Sequence, residues 1–366
     1  MAYSINKENL SSIQNWVSFL AFLLFFGSCT EKAVLPESQV FQLPISKNLA
    51  DSVPYPTHNQ TTKAGVELGR MLFYDPILSA NNQISCASCH LQSRAFSDGI
   101  ALSMMGVSGK KLERHTPTLI NLAWNEGLFW DAGAKNLESL AFGPLTHPDE
   151  MAQDLAELPA ELENRFDYKE RFQEAFGVDT IHSALVVRAL AQFQRSLIST
   201  NSRYDKFIRD ETNASFSELE KTGLQIFQQK CEQCHSGDFF TDFQVHNNGL
   251  DSIFPMDFEN PLQGRYRITL DSADLGKYKT PTLRNIAVTA PYMHDGRFQN
   301  LKEVLNHYSS GMRDFETVDS VFRQTDGSPK IPLSESEKTA LLAFLETLTD
   351  EDFLKNPNFA KPDILK

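Results

Sequence analysis

The sequence predicts a mainly α chain of two domains with long loops, and three observations carry that prediction. Helical periodicity and helix caps recur along the chain, no alternating apolar run is long enough to suggest a sheet, and each half contains one Cys-x-x-Cys-His frame. A length of 366 residues suits two ordinary cores, and 41% hydrophobic with 22% charged residues is a globular composition.

Taken in order, Trp16 to Phe26 is an uncharged apolar run of signal-peptide length, too short to span a bilayer comfortably. It ends Phe26-Gly27-Ser28-Cys29, an arrangement similar to a bacterial lipoprotein signal in which the cysteine is lipidated. A plain secretory peptide with Cys29 incidental is the alternative; the lipoprotein is favoured because Cys29 is otherwise an odd cysteine in an exported chain. Residues 1–29 are thus expected to be a signal and 30–60 an extended linker carrying Pro36, Pro44, Pro54 and Pro56. The expected location is the periplasm or cell envelope, with membrane contact only through a lipid on Cys29.

The first domain is expected over 61–205. Thr62 to Tyr74 has helical spacing in Val66, Leu68, Leu72 and Phe73 and stops at the Asp75-Pro76 turn, while Asp98-Gly99, Gly106 and Gly109 mark irregular chain. Helical signals dominate from Glu150, and Ile181 to Ile198 is apolar at helical spacing. The boundary falls between Ser199 and Phe216, and the second domain is expected over 206–366. Capping boxes at Ser217-Glu-Leu-Glu220 and Ser334-Glu-Ser-Glu337 each start a helix, the latter with a stripe of Leu341, Leu342, Leu345 and Leu348. A net charge of −13 argues against nucleic acid and anionic lipid as partners.

The remaining four cysteines form two frames, Cys86-Ala-Ser-Cys89-His90 and Cys231-Glu-Gln-Cys234-His235, 145 residues apart. C-x-x-C-H is the attachment motif of c-type haem: the thiols add to the haem vinyl groups and the histidine ligates the iron. A thioredoxin-like pair needs a βαβ context, which is not visible. Zinc frames do not require His after each second Cys, and a two-residue disulfide loop contributes little. Each domain is therefore expected to be cytochrome c-like, with one covalent haem, and with His90 and His235 as proximal ligands. The 27 Phe suit a protein that surrounds planar cofactors.

Further motifs accompany these frames: Gly69-Arg-Met-Leu-Phe-Tyr-Asp-Pro76, Phe129-Trp130-Asp131, Gly143-Pro144-Leu145 and Asp149-Glu150-Met151. Pro281-Thr-Leu-Arg-Asn285 and Thr289-Ala-Pro-Tyr292 follow in the second half. In this order, from about Ala64 to Thr349, the chain resembles the bacterial dihaem cytochrome c peroxidases. The resemblance implies an enzyme that reduces hydrogen peroxide to water at the haem on His90. Electrons come from a small donor, a cytochrome c or a cupredoxin, through the haem on His235. It implies that Trp130 lies between the haems and that Glu150 stands over the peroxidatic haem to move the peroxide proton. It also implies a calcium ion held by Thr289 and Pro291, and a possible homodimer.

Five departures qualify the resemblance. Leu102 to Ser108 lacks the histidine that in many members blocks the first iron; Met104 or Met105 is a candidate there. Tyr308 stands where the peroxidases place methionine, as in MauG, with His307 and Met312 as nearby competitors. Leu140 replaces a distal glutamine, and Asp131-Ala132-Gly133 lacks the usual arginine. His115 replaces the asparagine that contributes to calcium. A MauG-like oxidase of a protein or organic substrate, storing two oxidising equivalents across both haems, is the alternative, and a non-catalytic electron-transfer cytochrome the second. His58, His182 and His246 are read as surface or helix residues, and His294 as near the C-terminal haem.

Overall fold

The computed structural model describes residues 41–365 except 44, 48, 50, 51, 166, 258 and 259. The expected signal, Cys29 and much of the expected linker lie outside the described residues. The described chain is mainly helical. Its named strands, Val245–His246 and Tyr278–Lys279, form one antiparallel pair with Val245 opposite Lys279. No described helix is long and apolar enough to cross a membrane.

Two helix crossings organise two hydrophobic clusters. In the first, the helix Lys63–Tyr74 starts where the Thr62 hydroxyl accepts from Gly65 N and buries Leu68, Leu72 and Phe73 against Ser183–Ser196. In the second, Glu218–Lys230 crosses Glu335–Glu346, and both capping boxes anticipated from sequence are formed. Leu341, Leu345 and Leu348 are buried there with Phe344. Each large apolar side chain so buried contributes about 1.5–3 kcal/mol.

Both crossings depend on a glycine in the same way. A Cβ on Gly69 would lie 2.0 Å from Ala189 O and 2.8 Å from Phe193 Cβ. A Cβ on Gly223 would lie 2.0 Å from Ala340 O and 2.8 Å from Phe344 Cβ. The backbones therefore touch at a distance that no other residue permits.

The short helix Arg203–Ile208, capped by Ser202, sends Tyr204 and Phe207 into the second cluster. The buried ion pair of Asp205 with Arg284, at 2.8 and 2.9 Å, ties it to the segment after the second strand. The tail does not stay with the second cluster. The helix Glu351–Lys355 places Phe353 and Leu354 in the first cluster, with Phe353 packed edge-on against Phe96. Tyr74 donates to Phe359 O, and Gln92 to Asn356 O. Nothing in the sequence of residues 350–365 announced that return.

Candidate functional site

The four frame cysteines form no disulfide. Cys86–Cys89 is one helical turn with a capping box between Ser85 and Ser88, so both thiols and His90 are presented from a single short turn. The chain then winds through left-handed Ala95 and Phe96, which turns Phe96 O toward the imidazole. His90 Nδ1 donates to that carbonyl at 2.6 Å. The second frame repeats this, with left-handed Phe240 and a bond from His235 Nδ1 to Phe240 O of 3.2 Å. A carbonyl only accepts, so Nδ1 carries the proton and Nε2 keeps a lone pair on both rings. This is the tautomer that an iron ligand needs.

A cavity of about 880 Å³ is lined by all six residues of the two frames, together with Trp130, Leu140, Glu150, Thr289, Pro291 and Tyr308. Its size, the two thiol pairs and the two oriented imidazoles fit covalently held haem.

Glu150 belongs to the turn that follows Pro144. His147 O accepts from both Glu150 N and Ala152 N at 3.0 Å, and Glu150 O accepts from Val107 N at 2.7 Å. Its carboxyl is close enough to Cys86 and Cys89 to interact with them electrostatically. Burial raises its pKa above the ordinary carboxylate value, with the His147 charge opposing. Leu140 and Met151 are buried and line the same cavity.

Trp130 is half-buried where the two halves meet. Its indole donates to His115 O at 2.8 Å, and its own carbonyl accepts from Lys279 N at 2.8 Å. The turn beside it is held by Arg114 on Asp131, 2.6 Å, and by Arg265 on the Asp131 and Ala132 carbonyls. His115 N donates to His294 O, and His294 stacks on Tyr278 at 3.8 Å. Burial lowers the His294 pKa to about 3, so the ring is neutral, and its Nε2 has no hydrogen-bond partner.

Tyr308 sits in a π-helical turn, His307–Gly311, that ends the helix Leu301–Asn306. Such turns are rare and concentrate at functional sites. The phenol is close enough to Cys231 and Cys234 to interact electrostatically, and burial pushes its pKa up to about 12. The neighbouring candidates are placed elsewhere. His307 Nε2 donates to Asn248 O at 3.0 Å, and neither His307 nor Met312 lines the cavity. Met104 and Met105 are 61% and 45% exposed and do not line it either.

Calcium gains no support at Thr289 and Pro291. The Thr289 hydroxyl donates to Ile286 O at 3.2 Å, and the His115 ring, which donates from Nδ1 to Ile100 O at 2.8 Å, has no side-chain oxygen to offer. Among the described residues the one cluster of three possible His, Cys, Asp or Glu ligands is Cys234, Asp242 and His246, and His246 there is ion-paired to Asp242 at 2.7 Å. His58 and His182 are exposed, as read from sequence.

The structure also exposes an internal repeat that the sequence reading missed. Thr116-Pro-Thr-Leu-Ile-Asn121 and Thr280-Pro-Thr-Leu-Arg-Asn285 match at an offset of 164 residues. Thr118 and Thr282 donate to Ala95 O and Phe239 O, and Ser97 and Thr241 to Thr116 O and Thr280 O. The bridges Leu128 to Ala134 and Tyr292 to Phe298, and the caps Asn136 and Asn300, keep the same offset. By this register His294 corresponds to Trp130. Carried eight residues beyond the caps, it sets Pro144 at the place of Tyr308. Proline offers no side-chain ligand. The twice-written Thr-Pro-Thr-Leu-x-Asn was the available signal.

Comparison with known proteins agrees. The family described as di-haem cytochrome c peroxidase matches residues 63–213. The methylamine utilization protein MauG of Methylophilus methylotrophus is 35% identical over 329 residues, covering 89% of this chain and 92% of that protein. The cytochrome c551 peroxidase of Nitrosomonas europaea is 33% identical over 297 residues, covering 81% and 82%. A crystal structure of a MauG-like protein associated with microbial copper homeostasis superposes with a TM-score of 0.77 at 34% identity, covering 87% of this chain and 99% of that one.

Proposed function

Because the chain belongs to the di-haem cytochrome c peroxidase family, which includes the MauG proteins, we propose that it reduces hydrogen peroxide to water at the site framed by His90 and Glu150, using electrons that enter through the site framed by His235. In this reading the chain forms two cytochrome c-like domains, about 61–205 and 206–366, and the tail returns to the first. The covalently attached haems, when bound, supply the iron that peroxide meets and the second redox centre.

The residues then have separate tasks. Cys86, Cys89, Cys231 and Cys234 anchor the haems, and His90 and His235, fixed through Nδ1, present Nε2 to the irons. Glu150 takes the proton from the incoming peroxide oxygen and returns it to the departing one, a role that suits a carboxyl whose proton affinity burial has raised. Leu140 and Met151 keep water from competing at that carboxyl. Trp130, bonded to both halves, is the aromatic bridge along which electrons pass.

The observation that carries the reading is that the Glu150 carboxyl lies within electrostatic reach of Cys86 and Cys89, while by the internal repeat Pro144 takes the place that Tyr308 has in the second half. The donor in this reading is a small cytochrome c or cupredoxin, and the protein works in the periplasm or cell envelope, held by a lipid on Cys29. The test is peroxide turnover with reduced cytochrome c by the holoprotein and by Glu150→Gln. Loss in the variant supports the reading; undiminished turnover in the variant takes the proton-transfer role away from Glu150, and no turnover by the holoprotein itself leaves only an electron-transfer cytochrome.

One observation favours a second reading. Tyr308, which lines the cavity within electrostatic reach of Cys231 and Cys234, offers the second iron an oxygen ligand, and such a ligand favours oxidised iron, as a MauG-like oxidase of a protein or organic substrate requires. Slow discharge by cytochrome c after peroxide addition supports that reading over the peroxidase.

A further inference from the structure

The segment 247–249 is held by side-chain and main-chain bonds on both sides of Asn248. Asn247 N donates to Asp319 Oδ2 and its amide to Thr317 Oγ1, both at 2.8 Å. Gly249 N donates to Asn247 Oδ1, and Gly249 O accepts from Arg313 N at 2.7 Å. Gly249 is left-handed, with φ +64, and a Cβ there would lie 2.8 Å from Arg313 O, so the chain passes where a side chain does not fit. Between these anchors, Asn248 lines the cavity and exchanges two hydrogen bonds with the π-helical turn. Its carbonyl accepts from His307 Nε2 at 3.0 Å, and its Nδ2 donates to the Tyr308 phenolic oxygen at 3.3 Å. The same Nδ2 lies 3.6 Å from Met293 Sδ. His307 and Tyr308 are consecutive, so one residue fixes the turn by its main chain and the phenol by its side chain.

We propose that Asn248 is the positioning residue for Tyr308: its amide N–H holds the phenolic oxygen toward the second haem and, by withdrawing charge from that oxygen, sets the reduction potential of the iron. The proposal rests on Tyr308 being the ligand. An oxygen bound to ferric iron as phenolate has no proton and only accepts, so a donor is the partner it needs, and Asn248 supplies one in a buried place without adding a charge. Hydrogen bonds to a ligand atom alter its donor strength and orientation, and their loss changes the metal centre measurably. The alternative is an Asn–Tyr contact that only packs the turn.

The two are separated with the holoprotein by redox titration of the second haem and by its ferric phenolate charge-transfer band. Asn248→Leu and Asn248→Ala remove the donor, Asn248→Gln keeps one, and Tyr308→Phe removes the ligand. The proposal expects the Leu and Ala variants to shift the oxidised-to-reduced ratio about tenfold toward oxidised, ~59 mV for one electron. It also expects their band to move to longer wavelength, with Asn248→Gln closer to wild type. Haem content and the spectrum of the first haem stay unchanged. Potential and band equal to wild type in both donor-less variants, while Tyr308→Phe alters them, overturns the proposal and leaves the ligand assignment standing. If Tyr308→Phe itself leaves the band and potential unchanged, the ligand assignment falls and takes the proposal with it.

Discussion

Glu150 shows how one side chain is tuned by its surroundings. It is held by two main-chain bonds in the turn after His147, and burial raises its pKa above the ordinary 4.5. A base is lost as pH falls through its pKa. Peroxide turnover should therefore fall on the acid side at a pH above 4.5, and Glu150→Gln should abolish that limb. The variant should also lower kcat by about 10²–10⁴, the usual worth of a positioned acid–base group. Steady-state rates across pH check both points, and an unchanged limb in the variant would assign it to another group. The residues that line the cavity at the two frames were mostly legible in the sequence, because haem attachment demands fixed types at fixed spacing. Asn248 and Pro144 were not. A hydrogen bond to a side chain 60 positions away leaves no local pattern, and a proline reads as a turn unless its counterpart is known.

At the scale of elements, the two crossings are copies that share a glycine at the point of contact. Adding one methyl at Gly69 or Gly223 meets a backbone carbonyl rather than a flexible side chain, so the helices must separate. Gly69→Ala and Gly223→Ala should each destabilise by about 1–3 kcal/mol, the usual cost of overpacking, read as a lower Tm of the holoprotein. A second element-level prediction concerns the helix Arg203–Ile208. Burial pushes the Asp205 carboxyl up, but hydrogen bonds from Arg284 and Ser202 and the Arg284 charge bring it below the ordinary value of 3.8. Its contribution is fully present above 3.8 and is lost as pH falls through the depressed folded value. Asp205→Asn, which strands a buried guanidinium, should cost about 3–5 kcal/mol near neutrality. The gap from wild type should narrow at the lowest pH where both fold, and a constant gap in denaturant titrations would contradict the assignment. The long helices were legible because caps and apolar spacing are local. The π-helical turn was not, since His307, Tyr308 and Ser309 are placed by Asn248, Ile331 and Leu333 from outside it.

On the scale of the whole molecule, two clusters are joined by polar bonds around Trp130 and by a tail that crosses from one to the other. Ending the chain at Asp350 would uncover the sites of Phe353 and Leu354 in the first cluster. At about 1.5–3 kcal/mol per side chain, thermal unfolding should show the first-haem half losing stability while the second is little affected. Equal loss in both halves would mean that the clusters melt as one unit. The mainly helical class was legible from periodicity, but the crossing tail was not: five helical residues followed by Asn-Pro-Asn look like a frayed end until their partners, Arg70, Tyr74 and Gln92, are seen.

The central claim is that the first iron is open at rest, with Glu150 beside it and no side chain opposite. Stopped-flow absorbance of the fully oxidised holoprotein mixed with one equivalent of hydrogen peroxide tests it directly. The account predicts a change in the haem spectrum at once, without prior reduction. A spectrum that stays unchanged until one haem has been reduced would show that a side chain caps the first iron, and the open-site account would be wrong.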